Sequence, residues 1–175
     1  MTALPDIKNL RSLSGEEQTK ALDLLFEPSP AIHALLLPSI SATTFDSYND
    51  LITHAHKIFE ALAAEPSRKT ELHAIIGSHP RLGAKKVESA QSAAEQAKLQ
   101  TGDATELAAL NTEYELRFPG LRYVVFVNGR GRPEIMENMR ARIARGDIAL
   151  EEREAIQAMC DIAKDRAAKL QATSH

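Results

Sequence analysis

Only one stretch of this chain, Leu121-Arg-Tyr-Val-Val-Phe-Val127, is rich in the β-branched and aromatic residues that favour strands. A single run of that kind has no partner with which to build a sheet. Elsewhere apolar residues recur at spacings of three and four, the period of an amphipathic helix. The expectation is an all-α fold: a single-domain irregular bundle of about seven to eight helices, with one extended segment near 121–128. Leu121 to Val127 is either an extended segment lying against helices or a short helix that defies its composition. If extended and buried, its backbone N–H and C=O groups need partners. A polar ligand is one such partner.

The helices are punctuated by caps and prolines. Ser14-Gly-Glu-Glu17 reads as a capping box, with Ala21, Leu22, Leu24, Leu25 and Phe26 as the apolar face behind it. Pro28 ends that helix. Ser29-Pro30 starts the next, which is expected to stop before Pro38. A longer helix from about Thr44 to Ala64 carries the stripe Tyr48, Leu51, Ile52, Ala55, Phe59 and Leu62. Ser67 is expected to cap the helix that Leu72, Ile75 and Ile76 anchor. Gly102-Asp103 separates two helices, with Asp103 and Glu106 capping the second and Leu107, Leu110 and Tyr114 as its buried stripe. Pro119-Gly120 closes that one. Asn128-Gly-Arg-Gly-Arg132 reads as a turn with exposed arginines, and it lacks the ending of a phosphate-binding loop. Pro133 begins a helix through about Arg145, and Gly146 stops it. Asp147 is placed to cap the last helix, whose buried face is Ile156, Met159, Cys160, Ala163, Ala167 and Leu170.

The 175 residues suit one domain with a substantial core. A hydrophobic share of 43% and a charged share of 26% are ordinary for a soluble globular protein. A formal net charge of −3 gives no reason to expect nucleic acid as a partner. Single Cys160 excludes an internal disulfide and fits a reducing compartment. MTALPDIKNL has no apolar signal core, no run reaches membrane-spanning length, and ATSH is not a peroxisomal address. The expected location is cytoplasmic, with no membrane contact. His54 and His56 point about 200° apart on a helix and cannot chelate one ion together. No HExxH, cysteine pair or Asp-rich loop is present, so no metal site is expected.

Candidate chemistry concentrates between Leu72 and Gln96. His79 precedes Pro80, which disfavours helix at the residue before it. His79 should therefore sit at a helix end with its ring free to enter a cavity. On the next helix Ser92, Glu95 and Gln96 share one face. An imidazole facing a hydroxyl, a carboxylate and an amide can bind and deprotonate a small polar molecule. Plainer readings stand beside this one. His79 can be a turn residue, and Ser92-x-x-Glu95 can be a capping box. Lys85 and Lys86 are read as solvated, or as drawing in an anionic substrate. His33 reads as a partly exposed helix residue. Arg166, beside the last helix's apolar stripe, reads on its own as a snorkelling surface arginine.

Ser78-His-Pro-Arg-Leu-Gly83, the SAAEQ that begins thirteen residues after His79, and LNTEYELRFPGLRYVVFVNGR resemble the 2-oxo-4-hydroxy-4-carboxy-5-ureidoimidazoline (OHCU) decarboxylase family of the urate pathway. Phe26 to Pro30 and the closing helix with Arg166 are similar too. The resemblance covers nearly the whole chain in order. It departs where many members read His-Pro-Asp-Leu-Ala, because this chain has Arg81 and Gly83 at the Asp and Ala positions. Any family role for those two positions is thereby open. The resemblance implies decarboxylation of OHCU to S-allantoin and CO2, with no cofactor, and a homodimer. It implies His79 and Glu95 as the catalytic pair. It implies Pro80, Ser92, Gln96, Arg166 and the main chain of Tyr123, Val124, Val125, Phe126 and Val127 as substrate-binding groups. The substrate carries its own electron sink, a C=N bond beside the carboxylate-bearing carbon, so the chemistry requires neither pyridoxal phosphate nor a metal. The alternatives are a cofactor-free hydrolase or isomerase of another ureide or cyclic amide, and a helical adaptor in which His79 is structural.

Overall fold

The structure, a computed structural model, describes residues 3–83, 89–100 and 104–172. Among them are nine α-helices and no strand: α1 (Ile7–Leu10), α2 (Gly15–Phe26), α3 (Pro30–Ala42), α4 (Tyr48–Ala63), α5 (Lys69–Ile76), α6 (Ala90–Glu95), α7 (Thr105–Arg117), α8 (Arg132–Arg145) and α9 (Ile148–Ala172). The all-α, single-domain expectation holds. The count exceeds it by the short α1, whose N-cap Asp6 accepts from the N–H of Lys8 at 2.9 Å.

The long helix α9 is the spine, packing along α4 and α2. The α4 stripe of Leu51, Ile52, Ala55, Phe59 and Leu62 is fully buried, as are Ile156, Met159, Cys160 and Ala163 of α9. Each such large apolar side chain contributes roughly 1.5–3 kcal/mol by leaving water. Phe26 and Phe59 meet edge to face at 5.7 Å between ring centres, which ties the end of α2 to α4. The α7–α8 pair closes the other side through Leu107, Leu110, Tyr114, Ile135 and Met139. No helix among the described residues is long and apolar enough to cross a membrane.

Several caps are where the spacing places them. Ser14 and Glu17 form the reciprocal capping box. Ser29 accepts from the N–H of Ile32, Asp147 accepts from that of Leu150, and Gly146 ends α8 at φ 64°. Other boundaries move. α3 does not stop before Pro38 but runs through it to Ala42. Buried Ile32, Leu36 and Ile40 lie on both sides of the proline, and their packing overrides the local preference. α4 starts at Tyr48, four residues after Thr44, because Ser47 supplies the cap. Ser67 caps nothing. It lies in a 3-10 turn, Pro66–Arg68, and α5 begins without a side-chain cap. Leu121 to Val127 is neither helix nor strand, which settles that alternative in favour of an extended segment. Arg130 and Arg132 are not exposed turn residues, since both are half-buried on main-chain carbonyls. Lys85, Lys86 and the proposed Asp103 cap lie outside the described residues.

Candidate active site

α5 ends at Ile76, and the chain turns through Gly77 and Ser78 to deliver His79. Arg122 fixes that turn, its Nη1 donating to the carbonyls of Gly77 at 3.0 Å and His79 at 2.8 Å. His79 is 4% exposed and lines a cavity of about 210 Å³. Its buried Nε2 has no hydrogen-bond partner. Burial first, and the Arg166 charge second, push the imidazole down to about 3. The ring is therefore neutral at pH 7. That differs from the near-neutral titration expected of an ordinary histidine, because the ring is buried out of water with a guanidinium nearby.

α6 supplies the opposite wall. Its N-cap is Ser89, so Ser92 is free of capping duty. Ser92 is buried, and its hydroxyl donates to Glu27 at 2.5 Å and accepts from Arg166 at 3.0 Å. Glu95 lines the cavity with both carboxylate oxygens held by Arg166, at 2.9 and 2.8 Å. Gln96 accepts from the N–H of Gly83 at 2.8 Å through its side-chain oxygen and lines the cavity. Arg166, at 2% exposure, also donates to Glu27 at 2.9 Å. Burial opposes its charge, but the carboxylates of Glu95 and Glu27 outweigh that and hold it above the ordinary value.

The third wall is Tyr123 to Val127. The backbone N–H groups of these five residues donate to no described protein group. Buried main-chain donors are nearly always paired, so a row of unpaired ones beside a cavity is a ready-made recognition edge.

The model of the OHCU decarboxylase family matches residues 11–168. The chain belongs to that family. It is also 30% identical over 140 residues to the uric acid degradation bifunctional protein PucL of Bacillus subtilis (strain 168), an alignment covering 77% of this chain and 26% of PucL. The chain thus spans about a quarter of that relative.

The residues that the family motifs single out converge in space. His79, Pro80, Ser92, Glu95, Gln96 and Tyr123 to Val127 all line the one cavity. Arg166 does not. It lies a layer behind, where its fork is already filled by Glu95, Glu27 and Ser92. No hydrogen bond joins Glu95 to His79, so Glu95 does not orient the imidazole directly. At the departing positions, Arg81 pairs with Glu115 at 2.7 Å, and Gly83 takes φ 73° with the Leu107 side chain 2.5 Å from where a Cβ would stand. Sequence reasoning missed Glu27. It is buried, it anchors both Ser92 and Arg166, and its φ of 71° with ψ of 154° belongs to a region used almost only by glycine. Its signal was its place inside the family-like stretch Phe26 to Pro30. Ile162, Asp165 and Lys169 also border the cavity, and nothing in their local sequence marked them; Asn128 borders it too, at the end of the family-like stretch that runs through Tyr123 to Val127. Among the described residues no three His, Cys, Asp or Glu side chains gather as a metal-ligating group.

Proposed function

We propose that the chain decarboxylates OHCU to S-allantoin and CO2 in urate breakdown, and that His79 and Glu95 carry the reaction. The observation behind this reading is His79: a neutral, buried imidazole with an unpartnered Nε2, facing a cavity walled by Glu95 and by unpaired backbone donors.

The substrate enters as a carboxylate. Its negative charge beside the imidazole favours the protonated ring and raises its basicity. His79 then accepts the proton of the hydroxyl on the carboxylate-bearing carbon. The bond from that carbon to the carboxylate breaks, and its electron pair moves into the adjacent C=N. CO2 leaves. The hydroxyl oxygen becomes a ring carbonyl, the ring nitrogen that received the C=N pair takes one proton, and the ureido-bearing carbon takes another on one face, which sets a single enantiomer. One of the two is the hydroxyl proton returned by His79, and the other comes from water. Holding the ring by Ser92, Gln96, Pro80 and the Tyr123–Val127 backbone makes that face selection possible. Arg166 acts from behind by fixing Glu95 and Ser92.

The test is to supply freshly generated OHCU and follow CO2 release and the optical rotation of the product. Acceleration over the spontaneous rate with one allantoin enantiomer is the expected result. Decay at the background rate to racemic product sinks the reading.

A further inference from the structure

The extended segment separates two recesses. His79, Ser92 and Glu95 face it from one side, and Arg130, Asn138 and Arg142 from the other. Val125, Phe126 and Asn128 border both. On the arginine side, Arg142 Nη1 donates to the carbonyl of Val124 at 3.2 Å. Arg130 Nη2 donates to that of Phe126 at 2.6 Å, and its Nε to that of Val127 at 3.2 Å. The turn that follows folds Arg130 back under its own segment. Asn128 and Gly129 both have positive φ, 48° and 76°, and the N–H of Arg130 donates to Val127 at 3.0 Å.

None of the peptide bonds among the described residues is cis. In a trans peptide the carbonyl of one residue and the N–H of the next point in opposite directions. Carbonyls of Val124, Phe126 and Val127 that are drawn to the arginine side therefore aim the N–H groups of Val125, Val127 and Asn128 at the cavity. Those three N–H groups donate to no described protein group.

We propose that Arg130, seconded by Arg142, is a positioning residue that sets these peptide planes, so that the three N–H groups receive the part of the substrate ring that gains negative charge. The proposal rests on the decarboxylase reading. When the bond to the carboxylate breaks, its pair enters the C=N and charge collects on the ring nitrogen and the carbonyl conjugated to it. Donors already aimed at that charge need no reorganisation as it develops. Arg130 never touches the substrate. A guanidinium suits the task because its fork spans two carbonyls, which an ammonium does not.

Arg130 is the residue to change, because Arg142 also neutralises Glu151, which is wholly buried. The experiment compares wild type, Arg130→Met and Arg130→Lys. On freshly generated OHCU, Arg130→Met is expected to lose about 10²-fold in kcat with a much smaller change in KM, since the lost interaction belongs to the transition state. Arg130→Lys is expected to regain part of the loss, which simple loss of packing would not produce. A second arm needs no substrate: crystal structures of wild type and Arg130→Met, in which the Phe126 and Val127 carbonyls of the variant should turn away from the arginine side. Unchanged peptide planes, or a kcat for Arg130→Met within about two-fold of wild type, overturn the proposal. Failure of wild type to accelerate OHCU loss overturns the decarboxylase reading instead, and the crystallographic arm then decides the peptide-plane device alone. If Arg130→Met does not fold, Arg130→Lys carries both arms: planes and kcat both unchanged overturn the proposal, and an intermediate loss supports it.

Discussion

Arg166 and Glu95 form a two-pronged ion pair, Nε to Oε2 at 2.9 Å and Nη2 to Oε1 at 2.8 Å, and the same Nη2 reaches Glu27 at 2.9 Å. One guanidinium thus holds two carboxylates from α6 and from the end of α2. Arg166→Lys keeps the charge and loses the fork. Loss of charge-assisted bonds at a buried site should cost on the order of 1.5–3 kcal/mol of stability. Catalysis should fall with it, because Glu95 is no longer held in place. Denaturant unfolding and steady-state kinetics check this together. A variant as stable and active as wild type would show that the fork is dispensable.

Glu27 combines a disfavoured backbone with an anchoring side chain, and substitutions separate the two. Glu27→Gly and Glu27→Ala both remove the carboxylate, but only alanine carries a Cβ into the φ 71°, ψ 154° region. Such strain costs about 1–3 kcal/mol, so the glycine variant should be the more stable of the pair by roughly that amount, less the flexibility glycine adds to the unfolded chain. Equal melting midpoints would mean that Glu27 is not strained.

Pro38 lies exposed inside α3. Its ring removes one backbone donor and crowds the preceding turn, a penalty of about 3 kcal/mol in a helix interior. Pro38→Ala should therefore stabilise the protein by about 1–2 kcal/mol once the greater freedom of the unfolded chain is subtracted. A lower unfolding midpoint for Pro38→Ala contradicts this account of α3.

His79 also predicts a pH dependence of stability. Its folded value, about 3, lies below the ordinary 6.5, so between those values the unfolded chain binds the proton and the folded one does not. Above pH 6.5 the residue has no such effect. As pH falls from 6.5 towards 3, stability drains at up to about 1.4 kcal/mol per unit. Between pH 7 and pH 5 wild type should lose about 2 kcal/mol that His79→Asn keeps. Parallel denaturant titrations of the two proteins at both pH values measure it, and identical losses would place the imidazole in contact with water.

Much of this was legible because helices declare themselves locally. The stripes on α4, α7 and α9 and the Ser14 capping box are read from spacing alone, and they recur in the structure. The boundaries that moved did so for tertiary reasons: α3 passes Pro38 because Ile32, Leu36 and Ile40 are buried on either side of it. His79, Ser92, Glu95 and Gln96 were legible because they sit close in sequence, His79 just past the end of α5 and the other three on α6 and at its C-cap. Glu27 lies 65 positions from Ser92 and 139 from Arg166, and no local pattern brings those three together. Arg130 was misread for a different reason. Its sequence neighbourhood is that of an exposed turn, and composition does not show that the turn at Asn128 and Gly129 folds the side chain back onto the carbonyls of Phe126 and Val127, four and three residues before it.

His79→Asn should abolish most of the catalysis and leave the fold intact. The folding half rests on position. His79 follows a helix end, its backbone is held by Arg122, and its Nε2 makes no bond that the fold would miss, so the change at pH 7 should be about 1 kcal/mol or less. The catalytic half rests on chemistry. An amide hydrogen-bonds but exchanges no proton near neutral pH, so a general-base contribution of roughly 10²–10⁴-fold disappears. Glu95→Gln should fall in the same direction, by weakening its hold on Arg166 and by removing a carboxylate from the cavity wall. The two residues do not touch, so any coupling between them runs through the substrate. If they act as one unit on it, the double variant will be far less impaired than the product of the single losses. The measurement is OHCU loss above the spontaneous rate for the four proteins, with a thermal melt of each. Activity of His79→Asn within a few-fold of wild type rules out the proton-transfer role. Unfolding of that variant would assign the His79-Pro80 break to structure instead.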